Sequence, residues 1–239
     1  MTLEHGHSVE EIRARLAEDR KPNYVRDWVY GGIDGAITTF AIVAGVVGAA
    51  LSSKVIVILG LANLLADGFS MAASNYSGTK AEVDDHARLR EVERRHIARA
   101  PEGEREEVRQ ILRSKGLTGD ALEEAVAAIT SSEETWIETM LTEEYGLSRV
   151  QRTPLLSGAS TFAAFLLCGA VPLMPYLLGV EGAFGVAIMM TAAVFFIIGA
   201  LKARWSLASW WASGLETLSV GLLAAGASFA VGYLLRDLV

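Results

Sequence analysis

The chain has 239 residues, of which 51% are hydrophobic, and its mean hydropathy is +0.33. These values exclude an ordinary soluble domain of this length. The formal net charge of −7 is unevenly distributed, because most ionisable groups lie in residues 79–152 and the flanking segments are nearly free of them. The single cysteine, Cys168, excludes an intramolecular disulfide.

Residues 1–27 are polar and helix-like, without the pattern of a cleavable signal peptide. The first apolar run, Trp28–Leu51, is long enough to cross a bilayer and contains Asp34. An aspartate at a helix centre costs roughly 2.5–3.5 kcal/mol on insertion scales, so such residues usually face a bundle interior or a water-filled path. Asp27 and Thr38 share a helical face with Asp34. Small residues near that face permit close helix approach: Gly31, Gly35, Gly45 and Gly48.

The second apolar run, Val55–Ser77, follows a short turn at Ser52–Lys54. Polar and sulfur-containing side chains recur on one of its faces: Asn63, Asp67, Met71 and Ser74. A carboxylate one turn from a thioether suits a borderline divalent transition metal better than sodium or potassium. The alternative is that Asn63 and Asp67 hydrogen-bond between helices and that Met71 fills the core.

Residues 79–152 form a charged insert that we predict to be a small helical domain. A helical pattern runs from Ala81 to about Arg99 and can continue directly from the second span. Pro101 suits the first turn of the next helix, which is followed by a turn and two short helices at roughly 120–130 and 133–145. No segment shows a strand pattern.

Potential metal ligands recur on the helices of this insert at spacings of three or four residues. The candidates are Glu93, His96, Glu104, Glu107, Met140, Glu143 and Glu144. Carboxylates, an imidazole and a thioether on three helices that pack together predict a metal site. The alternative is solvated surface charge.

Three more apolar runs complete residues 153–239: Pro154–Leu178, Ala183–Leu201 and Leu207–Leu235. Glu216 in the last run is a candidate for a third buried acid or, equally, for a helix–helix contact. The sequence thus predicts an all-α integral membrane protein with five transmembrane helices. Its predicted parts are an N-terminal segment 1–27, spans one and two in 28–78, the insert 79–152, and spans three to five in 153–239.

The positive-inside rule predicts the orientation of these spans. Basic residues cluster before the first and third spans and between the fourth and fifth: Arg13, Arg15, Arg20, Lys21, Arg26, Arg149, Arg152, Lys202 and Arg204. With five spans, all basic residues except Lys54 and Arg236 fall on one side of the membrane, together with the insert. We therefore expect a cytoplasmic N-terminus and insert and an external C-terminus.

The chain resembles the vacuolar iron transporter family over nearly all residues after about 23. The motifs that carry the resemblance are Val25-Arg26-Asp27, Asp34-Gly35, Gly60-Leu61-Ala62-Asn63, Ser70-Met71, the acidic pairs of the insert, and Trp136-Ile137-Glu138-Thr139-Met140. The resemblance implies a five-span homodimer whose ion path lies between subunits, and export of cytosolic ferrous iron or related divalent metals in exchange for protons.

The same resemblance implies roles for individual residues. Asp34 and Met71 would bind the metal in the path, and Asp27 would lie near its cytoplasmic mouth. A cytoplasmic metal-binding domain would use Glu93, Glu104, Glu107, Met140 and Glu144. The chain departs from the family pattern at four positions: Thr39, Asn63, His96 and Leu141.

The sequence therefore predicts a proton-coupled antiporter, not an enzyme, for Fe²⁺ or for Mn²⁺, Co²⁺ or Zn²⁺. The expected partners are metal ions, protons, the lipid bilayer of a bacterial inner membrane and a second subunit, with no prosthetic group and no nucleic acid. Three alternatives stay open. Glu93-x-x-His96 also occurs in di-iron carboxylate proteins, which allows a membrane-tethered ferroxidase or iron-storage protein. The insert could instead sense metal, or the exporter could prefer manganese.

Overall fold

The computed structural model describes residues 6–18, 21–148 and 151–238, so Arg20 and Arg149 of the orientation argument lie outside the described residues. All regular elements in these ranges are helical. They are α1 (Val9–Ala17), α2 (Val25–Gly48), α3 (Ser53–Arg99), α4 (Pro101–Ser114), α5 (Gly119–Thr130), α6 (Glu133–Glu143), α7 (Pro154–Ala170), α8 (Met174–Leu177), α9 (Ala183–Lys202) and α10 (Trp210–Leu235), with short 3₁₀ turns at Val171–Leu173, Ala203–Trp205 and Arg236–Leu238.

Five helical segments in the described residues are long and apolar enough to cross a membrane: Val25–Gly48, Ser53–Arg99, Pro154–Leu177, Ala183–Trp205 and Trp210–Leu235. This confirms the prediction of an all-helical chain with five candidate spans. The third span, which the sequence predicts as the apolar run Pro154–Leu178, is not one continuous α-helix. Its α-helix stops at Ala170 and re-forms after a 3₁₀ turn, because Pro172 and Pro175 have no backbone N–H to donate.

The chain divides into two compact units. One comprises Met1–Asn23 and Ala81–Arg152, and the other comprises Tyr24–Lys80 and Thr153–Val239. The helix α3 supplies residues to both without a break between Ser53 and Arg99.

In the second unit, α2 is the most buried span and packs against α7, α9 and α10. Its glycines permit this packing, as predicted. A Cβ at Gly31 or Gly35 would collide with a backbone carbonyl oxygen of α7, at Thr161 and Phe165 respectively. The apolar core of this unit consists of Phe40, Val43, Val46, Ile56, Leu64, Phe165, Leu173, Ala187 and Ala225.

The unit that contains the insert has its own small core. It consists of Val108, Leu122, Val126, Trp136 and Met140, from α4, α5 and α6. Gly116 adopts a positive φ of 94° after α4, Gly119 adopts one of 61° at the first residue of α5, and Gly146 adopts one of 67° after α6. Glycine adopts this left-handed conformation without steric cost, which explains why the short helices end where the sequence predicts.

Candidate functional site

The first candidate site lies between α2 and α3. The Thr38 hydroxyl donates to the Asp34 backbone oxygen at 3.0 Å and accepts a hydrogen bond from Asn63 Nδ2 at 3.1 Å. Asp67 on α3 is close enough for its carboxylate to interact electrostatically with that of Asp34. These contacts bring together four of the polar residues that the sequence placed on two helical faces.

The Asp34 side chain is half-buried, and within residues 6–18, 21–148 and 151–238 no side chain or backbone group donates a hydrogen bond to its carboxylate. Burial penalises a carboxylate that has neither a donor nor a cation beside it. The second carboxylate, at Asp67, adds repulsion. This arrangement therefore favours binding of a cation or a proton.

Met71 and Asp27 occupy different surroundings. Met71 is partly buried and packs against the apolar core of the membrane-spanning unit. Asp27 is 1% exposed and accepts a hydrogen bond from Asn75 Nδ2 at 2.8 Å. The same amide donates to Thr161 Oγ1 of α7 at 2.7 Å. Asp27 thus belongs to a polar contact that joins three helices.

Asn75 is a residue that the sequence analysis missed. It lies four residues after Met71 and eight after Asp67, so the helical period points to it, whereas Ser74, which the sequence places on the same face, is exposed. Glu216 is not a buried acid. Its side chain is 68% exposed, and its carboxylate lies 3.4 Å from Lys202 Nζ, so the helix–helix contact is the correct alternative.

The second candidate site lies within the insert, where α3 meets α4. His96 Nδ1 lies 3.3 Å from Glu104 Oε1 and 3.9 Å from Glu93 Oε1. Glu93 is 1% exposed and Glu104 is 5% exposed. The Oε2 atoms of both glutamates are buried and have no hydrogen-bond partner among the described residues. Buried, unpartnered carboxylate oxygens are uncommon in proteins and indicate a role in binding.

The charges of this cluster act on one another. The pKa of Glu104 is raised to about 7, first by burial and then by the nearby carboxylates of Glu107 and Glu93, and His96 partly offsets the effect. Burial also raises the pKa of Glu144, with Glu93 and Glu107 adding to the shift. Four of the predicted acidic ligands therefore share one electrostatic environment.

Two other predicted ligands, Met140 and Glu143, have partners of their own outside the acidic cluster. Met140 is fully buried in the apolar core of the insert. Glu143 pairs with Lys115, with Nζ and Oε1 2.5 Å apart. No three His, Cys, Asp or Glu side chains in the described ranges are already arranged to hold a metal ion. Glu93, His96 and Glu104 converge, but their side chains must adjust to coordinate one.

Tyr145 is the second residue that the sequence analysis missed. Its hydroxyl donates to Glu93 Oε1 at 3.0 Å. Burial and this hydrogen bond raise the pKa of the phenol. Its position next to Glu144, just beyond α6, was the only signal in the sequence.

Comparison with known proteins decides the family of this chain. Residues 25–233 match the model of the VIT family. The chain belongs to the VIT family. The matched range includes both candidate sites, so this VIT-family chain carries them within the shared region.

Several relatives of the VIT-family chain have names that describe a transported metal. It is 32% identical over 210 residues to vacuolar iron transporter 1 of Arabidopsis thaliana, with 87% of this chain and 84% of the relative covered. It is 30% identical to vacuolar iron transporter 2 of Oryza sativa subsp. japonica over 97% of both chains. A vacuolar iron transporter of Toxoplasma gondii is 34% identical, with 83% of this chain and 72% of the relative covered. These relatives support metal-ion transport in a membrane.

Proposed function

We propose that this chain transports divalent transition-metal ions out of the cytosol, with ferrous iron as the main substrate. The observation that carries the proposal is the half-buried Asp34 carboxylate on a membrane-crossing helix, beside Asp67 and without a hydrogen-bond donor in the part of the chain that the structure describes. Uncompensated acids inside membrane proteins usually mark ion paths. The names of the relatives support iron as the substrate.

Transport is coupled to protons in this proposal. A divalent ion requires the carboxylate form of its ligands, so metal binding at Asp34 displaces a proton, and a proton from the opposite side displaces the metal. Two Asp34 side chains across the axis of a homodimer would neutralise one dication. Met71 would add a soft ligand, which favours transition metals over alkali ions. Asn63, Asp67 and Asp27 would complete the polar path.

The insert captures ions from the cytosol in this scheme. Glu93, Glu104, Glu107 and Glu144 concentrate negative charge, and His96 adds a ligand that accepts several borderline metals. A pKa near 7 at Glu104 allows metal and proton to compete at cytosolic pH. The N-terminus and insert face the cytoplasm of a bacterial cell and the C-terminus faces outward.

The test is Fe²⁺ uptake into proteoliposomes by wild-type protein and by Asp34→Asn, under an imposed pH gradient. We expect the variant to lose transport while its gel-filtration profile stays unchanged. Glu216→Gln is the matched control. It also removes a carboxylate from a membrane span, but this carboxylate is exposed and paired with Lys202. Undiminished Fe²⁺ uptake by Asp34→Asn would overturn the proposal. A metal panel in the same assay separates iron from manganese, cobalt and zinc.

A further inference from the structure

Tyr145 links the end of α6 to α3, at the acidic cluster of the insert. It follows the last residue of α6 by two positions, and its backbone N–H donates to Met140 O at 3.4 Å. The turn is fixed further by the bond from Leu147 N to Leu141 O at 2.9 Å and by the left-handed Gly146. Because its backbone is held, the position of the phenol is set by the fold.

The phenol contacts a buried carboxylate that comes from another helix. Its hydroxyl donates to Glu93 Oε1 on α3 at 3.0 Å. Glu93 is almost fully buried, and its other oxygen, Oε2, has no hydrogen-bond partner in the part of the chain that the structure describes. One oxygen of Glu93 is thus occupied by Tyr145 and the other is available.

We propose that Tyr145 is a positioning residue of the metal site in the insert: its hydroxyl fixes the Glu93 carboxylate through Oε1, so that Oε2 serves as the metal-binding atom. This inference rests on the proposed capture of metal by the insert. It adds to that site a residue that does not itself touch the ion. It also assigns different roles to the two oxygens of Glu93, one held by Tyr145 and one bound to the metal.

The Glu93 carboxylate needs a fixed donor to hold its orientation. Glu93 lies near two other carboxylates, those of Glu104 and Glu144, which repel it, and burial removes the water that would otherwise orient it. A hydrogen bond from a fixed donor holds one rotamer against that repulsion. In metal sites generally, loss of a partner that orients a ligand weakens metal binding about 10- to 100-fold. A tyrosine that only packed would leave the coordination of the ion unchanged.

The experiment uses full-length protein in detergent, with Asp34→Asn as the common background so that the membrane path does not contribute. Co²⁺ is the probe, because its visible absorption spectrum reports the ligand geometry and its titration gives the dissociation constant. Tyr145→Phe removes only the hydroxyl. We expect Co²⁺ to bind about 10- to 100-fold more weakly with an altered spectrum. Thr142→Val is the matched control, since it removes a buried hydroxyl without a partner among the described residues near the same helix end.

Replacement of Tyr145 by 4-aminophenylalanine restores a donor at the same position. We expect it to recover the affinity and the spectrum, which a purely structural role for the ring would not require. Equal Co²⁺ affinity and spectra in wild-type, Tyr145→Phe and Thr142→Val proteins would overturn the inference, as would failure of 4-aminophenylalanine to restore what Tyr145→Phe loses.

Glu93→Gln distinguishes failure of the proposed metal capture by the insert from failure of the proposed role of Tyr145. If it abolishes a Co²⁺ site that Tyr145→Phe leaves intact, the capture proposal stands and the role of Tyr145 fails. If Glu93→Gln leaves Co²⁺ binding unchanged, the capture proposal fails and the role of Tyr145 fails with it.

Discussion

Glu104→Gln should stabilise the metal-free insert at alkaline pH and should have little effect in acid. The pKa of Glu104 is raised from 4.5 to about 7 by burial and by Glu107 and Glu93. Between these values the folded insert holds a proton that the unfolded chain has released, so stability falls as pH rises through this window. Above a pH of about 7 the insert has lost the full amount of folding stability that this group can remove.

The size of the effect follows from the same values. The difference between 4.5 and about 7 corresponds to about 3 kcal/mol at about 1.4 kcal/mol for each pKa unit. Water at the edge of the cluster screens part of it, so we expect Glu104→Gln to gain about 1–3 kcal/mol at pH 8 and nearly nothing at pH 4.5. Glutamine cannot ionise, so the variant does not lose stability through this group as pH rises.

Native-state amide hydrogen exchange of α4 and α6, in full-length protein with a chelator, measures this free energy at both pH values. Glu106→Gln is the matched control. It lies on the same helix but is exposed and paired with Arg109, and the pKa of Glu106 is lowered, first by its bonds to Gln110 and Arg109. A gain for Glu104→Gln that is the same at pH 4.5 and pH 8, or a gain for Glu106→Gln of equal size, would refute the reasoning.

Two further predictions concern the membrane-spanning unit. Asn75→Ala removes the amide that donates to Asp27 and Thr161, so it should lower the free energy of unfolding in detergent by about 1–3 kcal/mol. Ser74→Ala is the control and should leave this free energy unchanged. Equal unfolding of the two variants would contradict the prediction. Gly35→Ala should abolish a monodisperse gel-filtration peak, because its Cβ meets a carbonyl oxygen of α7. Gly226→Ala, where the added Cβ meets open space, should keep that peak, and a normal Gly35→Ala profile would show that the helices can separate.

The sequence predicts the helices well because their signals are local. Apolar length identifies five candidate spans, and Pro101, Gly116, Gly119 and Gly146 mark the ends of the short helices. The break in the third span was missed because prolines are tolerated in membrane helices, and whether they interrupt one depends on neighbouring helices.

The sites were predicted only in part because side-chain partners are not local. Helical spacing placed Asp34, Asp67 and Asn63 on facing sides, and these do come together. The same spacing could not show that Glu143 pairs with Lys115 or that Glu216 is exposed and pairs with Lys202. One of these partners follows the end of α4 and the other lies on α9, so neither is local. Tyr145 escaped notice because its role depends on a residue 52 positions away.

The central claim is that one path exchanges metal for protons at Asp34. The most direct measurement records Fe²⁺ uptake and internal pH at the same time in proteoliposomes that contain one dye for each. The account predicts that added Fe²⁺ enters while the interior becomes more alkaline in wild-type liposomes, and that both signals disappear in Asp34→Asn. Fe²⁺ uptake without any change of internal pH, or both signals in Asp34→Asn, would contradict it.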